Sequence, residues 1–414
     1  MRSTLDPRFD GIGRGADGAA GIPPRGHSIS PQWFEDPESM VAALRPSYPV
    51  YCLRPHTLAE NARLFLDGFP GLVMYAVKCN PHPAVLHHLF EAGIRHFDTA
   101  SLAEIAAVRE GLPEAEAYFM HPVKARAALL SAAKVYDVRH YVIDHADELA
   151  KIVATIGRRD IDILVRLSTP GADVLFELSR KFGAPPDEAV QLLRTVHEAG
   201  FRTGIAFHVG SQCGDPGAWR TAMDSAAAVI RAAGVPIRYL DVGGGFPANY
   251  DNHATPPLEE YFTAIRKRLA TMPVGSDCTV MCEPGRALVA NAISLVTQVH
   301  LRKGDSLYIN DGIYHSMSEQ ATVGIRLPTR MIRPDGPGSK SLAEFMIYGP
   351  TCDSTDVLPH TVRLPADIGE GDWIEFGQIG AYSSAMATRF NGFHPETFVT
   401  VKSGPFRPLR GERM

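Results

Sequence analysis

Between Leu72 and Arg286 one texture repeats: a short apolar run, a polar residue, then a stretch whose apolar positions recur at helical spacing. The runs are, in order, LVMYAVK, RHFDTA, AYFMH, HYVID, ILVRLS, GIAFHVG, YLDVGG and VMCEPGR. Runs this short, bounded by polar and glycine residues, predict buried strands. Eight strand-then-helix units are the content of a (β/α)8 TIM-like barrel, an α/β fold whose active site lies at the C-terminal ends of its strands. A doubly wound open sheet produces the same alternation, and periodicity does not separate the two. The polar residues at the run ends are Lys78, Asp98, His121, Asp144, Arg166, His208, Gly243 and Glu283.

The gaps between the runs read as helices. In SLAEIAAVREG, Ser101 and Glu104 form a capping box and Gly111 a stop. The fifth gap, LFELSRKFGAPPDEAVQLLRTVHEAG, is long enough for two helices. After about Ala290 the pattern changes to alternating, β-branched segments such as AISLVTQVH, DSLYIND and DWIEFG, which predict a C-terminal all-β domain. The earlier strand-like segment SYPVYCL joins it. The expected organisation is therefore a barrel over residues 55–289, inserted between β-domain segments 33–54 and 290–414. Residues 1–32 are rich in Gly, Pro, Arg and Asp with little apolar content, and are expected as a mobile extension.

At 414 residues the chain exceeds a typical single core, in keeping with two domains. A formal net charge of -5, without basic blocks, leaves no footprint for nucleic acid or an anionic membrane. The first residues lack an apolar core and no uninterrupted apolar run of about 18 occurs, so a cytoplasmic protein is expected. The six cysteines (Cys52, Cys79, Cys213, Cys278, Cys282 and Cys352) show no paired spacing, and His87-His88 lack the i, i+4 spacing of two ligands on one helix face. No metal is expected.

The candidate chemistry lies at the strand ends. Lys78 closes an apolar run just before the chain turns at Asn80-Pro81. A lysine is rarely buried unpaired, so this amine is either a Schiff-base former or a side chain that snorkels to the surface. Asp241-Val-Gly-Gly-Gly-Phe246 sets three glycines after a strand, which is either a tight turn or a place where backbone N–H groups approach an anion. Glu283-Pro-Gly-Arg286 ends the next strand, on the side of the mouth where barrel phosphate sites lie. Glu283 is either a salt-bridge partner of Arg286 or Arg166, or a carboxylate that holds a pyridinium nitrogen protonated. His208-Val-Gly-Ser211 adds an imidazole able to stack on a ring and a serine able to reach a phosphate.

YAVKCN, FDTAS, HVGSQC, DVGGGFP, EPGR, NDGIY, YGPTCDSTD and GAYS with FNGF together resemble the fold-type III pyridoxal-phosphate decarboxylases, and most closely the ornithine decarboxylase branch; the resemblance runs from about Tyr48 to Phe393. It implies an alanine-racemase-like barrel and β domain, the cofactor pyridoxal 5'-phosphate, and a homodimer that decarboxylates a basic L-amino acid. Ornithine, giving putrescine for polyamine biosynthesis, is the first expectation, with lysine, diaminopimelate or another diamino acid as alternatives. By the same resemblance Lys78 carries the cofactor as a Schiff base, His208 stacks on its ring and Glu283 pairs with its nitrogen. Asp98 and Arg166 shape the pocket, while Ser211, Gly243, Gly244, Gly245, Gly285, Arg286 and Tyr382 surround the cofactor and its phosphate. Cys352 and Asp353 cross a twofold interface, the cysteine for reprotonation of Cα and the aspartate for substrate. An amino acid racemase on this architecture pairs the ring nitrogen with an arginine, against which Glu283 argues. A non-catalytic homologue is disfavoured by the joint presence of Lys78, Glu283, Cys352 and Asp353. One departure concerns Asn310 to Gln320, where His315 replaces the family's usual glycine and Glu319 is the nearby acid. Either Glu319 binds the distal ammonium of the substrate together with Asp353, beside Tyr314, with Asp356 next in line for that role, or Glu319 is a solvated loop residue and Asp353 suffices.

Overall fold

The computed structural model describes residues 32–169 and 181–406. Two strands, β1 (Trp33–Phe34) and β2 (Val50–Leu53), precede the first barrel helix, Pro55–Gly68. The eight apolar runs then become β3 (Leu72–Ala76), β4 (His96–Thr99), β5 (Glu116–Phe119), β6 (His140–Ile143), β7 (Asp162–Arg166), β8 (Arg202–Ala206), β9 (Tyr239–Asp241) and β10 (Thr279–Cys282). All pair in parallel, and β10 returns to β3 to close the barrel. The open-sheet alternative is thereby removed.

Strand parity sets the two faces, because alternate side chains point to opposite sides. Met74, Tyr118, Val142, Leu164, Tyr239 and Met281 pack together in one cluster inside the barrel, while neighbours such as Val73, Tyr75 and Phe97 pack outward against helices. Carrying the inward phase two residues on from Leu164, Tyr239 and Met281 reaches Arg166, Asp241 and Glu283, at the C-terminal mouth. The opposite end is closed by a polar network. Tyr118 Oη donates to Glu116 at 3.1 Å and lies 3.0 Å from His96 Nδ1, and its ring stacks on His140, whose Nδ1 is 2.9 Å from Asp162.

The helix at Leu102–Gly111 forms as its spacing predicts, with Ser101 Oγ accepting from the Glu104 amide. Its box is offset by one residue, since Glu104 reaches back to the amide of Ala100, 2.6 Å away. In the long fifth gap the second expected helix is Pro186–Glu198; residues 170–180, where most of the first would fall, lie outside the described residues, as do residues 1–31 of the expected N-terminal extension.

After the barrel come β11 (Ile293–Lys303), β12 (Ser306–Ile309), β13 (Thr329–Ile332), β14 (Leu342–Tyr348), β15 (Val362–Pro365), β16 (Trp373–Phe376) and β17 (Thr397–Val401). With β1 and β2 they make a nine-stranded sheet in the order β1-β17-β2-β11-β12-β14-β15, to which β16 and β13 attach through β11. An ion pair between Arg54 and Glu375, 3.1 Å apart and both almost fully enclosed, sits within it. The sheet region is stitched to the barrel at the turn that carries Lys78: Asn80 Nδ2 donates to Gly380 O at 2.9 Å, and the Tyr382 amide donates to Cys79 O at 2.9 Å. Among the described residues no helix is long and apolar enough to cross a membrane.

Candidate active site

Strand β3 ends at Ala76, and Lys78 occupies a short 3-10 turn, Val77–Cys79, that lifts its amine into the barrel mouth. There Nζ lies 3.0 Å from Asp98 Oδ2 at the end of β4. Burial alone would lower the lysine's pKa, but Asp98, Glu283 and Tyr382 outweigh it and hold the ammonium above the usual lysine range. The snorkelling alternative fails, since the amine is paired inside the mouth. The side chain nevertheless keeps 42 % of its surface accessible, because it opens into a cavity of about 260 Å³. That cavity is lined by Lys78, His208, Ser211, Gly245, Glu283, Gly285, Arg286, Glu319 and Tyr382, so residues from strands, glycine loop and sheet region converge on one space. A larger hollow of about 530 Å³ is a groove of mixed charge between two barrel helices, lined by Arg220, Glu259, Glu260, Lys267 and Arg268, and shares no lining residue with this cavity.

His208 follows β8. Its Nδ1 accepts the Gly210 amide at 3.0 Å, which leaves the neutral ring's proton on Nε2. Burial first, then the charges of Arg166 and Lys78, push its pKa well below the ordinary value, so the ring is neutral. Glu283 and Asp241 end neighbouring strands. Asp241 Oδ1 accepts the Gly243 amide at 2.9 Å, and its carboxyl is raised well above the usual range by burial and then by Glu283. Glu283 is pushed up to about 7, by burial first and then by Asp98, against the opposing pull of Lys78, Asp241 and Arg166. Two enclosed carboxyls facing one another favour sharing a proton over holding two charges. Arg166, with its guanidinium 5.6 Å from the Phe182 ring, supplies charge to the site rather than a wall of the cavity.

The Gly243–Gly245 loop is threaded between the ends of β8 and β10. A Cβ on Gly244 would stand 2.5 Å from Glu283 O and 3.0 Å from His208 Nε2, and Gly243, at φ +69°, would meet Phe207 O at 2.1 Å. Only glycine brings backbone this close to the ends of both neighbouring strands. Arg286 begins the short helix Arg286–Val289. Its Nη1 donates to Tyr250 Oη at 2.8 Å and to Glu319 Oε2 at 2.7 Å, its Nη2 to Glu319 Oε1 at 2.6 Å, and its buried Nε has no partner. An amine, a neutral imidazole, a carboxyl able to exchange a proton near neutrality, a glycine loop and an orphaned cationic N–H fit pyridoxal phosphate group by group.

The expected substrate residues lie elsewhere. Tyr314 Oη donates to Asp353 Oδ2 at 2.7 Å, and Asp353 Oδ1 accepts from the Thr355 amide at 2.9 Å. Cys352 is exposed, its Sγ 3.4 Å from Asn391 Oδ1. None of the three lines the cavity. Two expectations need correction. Glu319 is not presented to an ammonium, because both of its oxygens are engaged by Arg286 in a buried fork. Asp356 is also committed, accepting from the amides of Ile313 and Thr351 at 3.0 and 3.1 Å and from Thr351 Oγ1 at 2.7 Å, so it staples its loop. His315 is buried edge-on to Phe393 and does not line the cavity. Sequence reasoning missed Gln212, Phe246 and Met386 as cavity residues; Gln212 adjoins the recognised HVGS segment, but Met386 gives no signal of its own.

Residues 56–290 match the family profile described as pyridoxal-dependent decarboxylase, pyridoxal binding domain. A lysine/ornithine decarboxylase of Selenomonas ruminantium is 35 % identical over 358 residues, 84 % of this chain and 88 % of the relative. An ornithine decarboxylase of Neurospora crassa is 30 % identical over 370 residues, 78 % of this chain and 74 % of the relative. Among solved structures, lysine/ornithine decarboxylase from Vibrio vulnificus, complexed with putrescine, superimposes with a TM-score of 0.77 at 30 % identity, covering 89 % of this chain and 99 % of that one. The profile ends just beyond Glu283 and Arg286, so it takes in the lysine, the imidazole, the glycine loop and the acid that converge on the cavity: the chain belongs to the fold-type III pyridoxal-phosphate decarboxylases, in their ornithine decarboxylase branch.

Proposed function

We propose that the amino acid decarboxylated is basic, namely L-ornithine, yielding putrescine for polyamine biosynthesis, and that the working form is a cytoplasmic homodimer. The observation that carries the chemistry is the Lys78–Asp98 pair, 3.0 Å apart, whose amine opens on the same cavity as Glu283 and Arg286. The substrate assignment is supported by the Selenomonas and Neurospora relatives, whose names both include ornithine.

Bound pyridoxal phosphate supplies an electron sink for the pair left when Cα loses its carboxyl group. In the proposed division of roles, residues 55–289 form the cofactor-binding barrel, between β-domain segments 33–54 and 290–414. Lys78 Nζ would hold the cofactor through its aldehyde, with Asp98 setting the amine's charge and direction. Glu283 keeps a proton on the pyridine nitrogen, and neutral His208 packs on the ring face. Ser211, Gly243 to Gly245, Gly285, Arg286 and Tyr382 hold the phosphate corner, with Arg166 adding positive charge.

The substrate side is completed in this reading by Cys352 and Asp353 of the partner subunit, the thiol returning a proton to Cα and the carboxylate holding the distal ammonium, with Tyr314 fixing that carboxylate. The placement of exposed Cys352 and half-buried Asp353 outside their own chain's cavity supports the reading. So does the neighbouring run of exposed Met386, Phe390 and Phe393, apolar surface that a second copy would cover. The test is carbon dioxide release by the purified protein with pyridoxal phosphate, offered ornithine, lysine, arginine and diaminopimelate in parallel. Fastest turnover of ornithine is expected. Preference for another of the four overturns the substrate, and release from none overturns the basic amino acid reading.

A further inference from the structure

Glu319 belongs to the helix Ser318–Thr322, which follows β12 and lies on the same segment as Tyr314. It leaves the sheet region to meet Arg286, 33 residues earlier in sequence, at the phosphate corner of the barrel. The contact is a fork, Nη1 to Oε2 at 2.7 Å and Nη2 to Oε1 at 2.6 Å, with side chains only 4 % and 8 % exposed. Tyr250 Oη takes a further Nη1 hydrogen at 2.8 Å, and the Tyr382 ring lies 4.9 Å from the guanidinium carbon. A bidentate carboxylate fixes the plane of a guanidinium as well as its position. With three of its five N–H groups engaged, the guanidinium cannot turn, and the directions of the other two, on Nη2 and Nε, are fixed too. That Nε is buried and unpartnered, and Arg286 and Glu319 line the cavity together.

We propose that Glu319 is a positioning residue for cofactor binding: its carboxylate fork holds the Arg286 guanidinium beside the cavity that both residues line, in the orientation that meets the phosphate of pyridoxal phosphate. The inference rests on the cofactor assignments above. Its consequence is that one residue of the substrate-side segment sets phosphate affinity, so that segment and cofactor corner are locked together. The isolated measure is the ratio of dissociation constants for pyridoxal and pyridoxal phosphate, because the two ligands share ring and aldehyde and differ in the phosphate alone.

The experiment titrates cofactor-stripped wild type, Glu319→Gln, Glu319→Ala and Glu319→Asp with each ligand, following the visible absorption of the bound aldehyde. Wild type should favour pyridoxal phosphate strongly. Glu319→Gln and Glu319→Ala should shrink that preference about tenfold, equivalent to about 1.4 kcal/mol, the scale of one charge-assisted hydrogen bond, while Glu319→Asp, which keeps the charge, should recover part of it. KM for ornithine at saturating cofactor should stay within about twofold of wild type. A preference that is unchanged or larger in Gln and Ala overturns the proposal, and a raised KM with unchanged preference returns Glu319 to the substrate's ammonium. Thermal midpoints of the stripped variants close to wild type exclude misfolding as the cause, and a variant that fails this check is replaced by Glu319→Asp as the deciding one. Failure of wild type itself to bind pyridoxal phosphate would instead strike at the cofactor assignments.

Discussion

Replacing Glu283 by Gln is expected to stabilise the cofactor-free protein while crippling decarboxylation. The carboxyl is enclosed at the barrel mouth, where burial and Asp98 raise its pKa from 4.5 to about 7. A group whose folded pKa lies above its unfolded value binds its proton more tightly when folded. Its favourable contribution is complete below about pH 4.5 and is lost as pH rises through about 7. Above both values the ionised form opposes folding by up to about 3 kcal/mol. Asp241 shares the same proton and keeps part of the effect when Glu283 is gone, so about 1 to 3 kcal/mol is expected from the substitution. The assay is urea unfolding of stripped wild type and variant at about pH 6 and about pH 8.5. Wild type should lose stability relative to the variant between the two, and the variant should be the more stable at the higher pH. With cofactor restored, turnover should fall by orders of magnitude, because an amide does not hold a proton on the pyridine nitrogen. Parallel pH profiles for the two proteins would refute the titration of Glu283, and unchanged turnover would refute its pairing with the ring.

Lys78→Ala should abolish the visible absorption of bound cofactor and reduce ornithine turnover at least about a thousandfold; retention of both would place the reactive amine elsewhere. Gly244→Ala drives a methyl against Glu283 O and His208 Nε2 and should weaken cofactor binding at least about tenfold at a stability cost of about 1 to 3 kcal/mol, which an absorbance titration and a melt would read. Arg54→Met should destabilise the sheet region by about 2 to 4 kcal/mol, less than a fully stranded charge costs, because Arg330 still pairs with Glu375; denaturant unfolding showing a loss below about 1 kcal/mol would mean that Arg54 contributes little. Mixing Lys78→Ala with Cys352→Ala subunits should restore about a quarter of wild-type activity, since half of randomly mixed dimers hold one intact site. No recovery after demonstrated subunit exchange would put Cys352 in its own subunit's site.

The barrel was legible because strands of a parallel barrel are buried on both faces and read as unbroken apolar runs. All eight runs became strands, and of the residues ending them Lys78, His208 and Glu283 line the cavity. The glycine triplet was ambiguous as a string; its meaning comes from Glu283 O and Phe207 O standing where a Cβ would go, a fact about neighbouring strands. Glu319 was misread because proximity along the chain placed it beside Tyr314, whereas packing delivers it to Arg286. Asp356 was misread for a similar reason. An acid next to a recognised motif gives no sign that two backbone amides and a hydroxyl already consume its oxygens. Charged residues in loops are assigned by their tertiary partners, which hydropathy patterning does not encode.

The two ends of the site are built to different degrees within one chain. At the cofactor end, Lys78 has its carboxylate, Arg286 its fork and His208 its amide, all within the one chain. At the substrate end, Asp353 is oriented but wet: Thr355 first, then Tyr314, hold its carboxyl below the ordinary aspartate range, so it is charged wherever the enzyme works. An ion in water attracts an ammonium weakly, and the same pair strengthens severalfold as the surrounding dielectric falls. With Glu319 and Asp356 both committed, the proposed recognition of the distal amine falls to Asp353 once a second copy excludes water from it. Choice between diamino acids of different length then belongs to residues 352–355 and Tyr314, which set where that carboxylate stands, while the barrel fixes the position of Cα. Substitutions at Thr355 should therefore move the ratio of kcat/KM values for ornithine and lysine without changing cofactor affinity, and a shift in cofactor affinity instead would show that the two ends are not separable in this way.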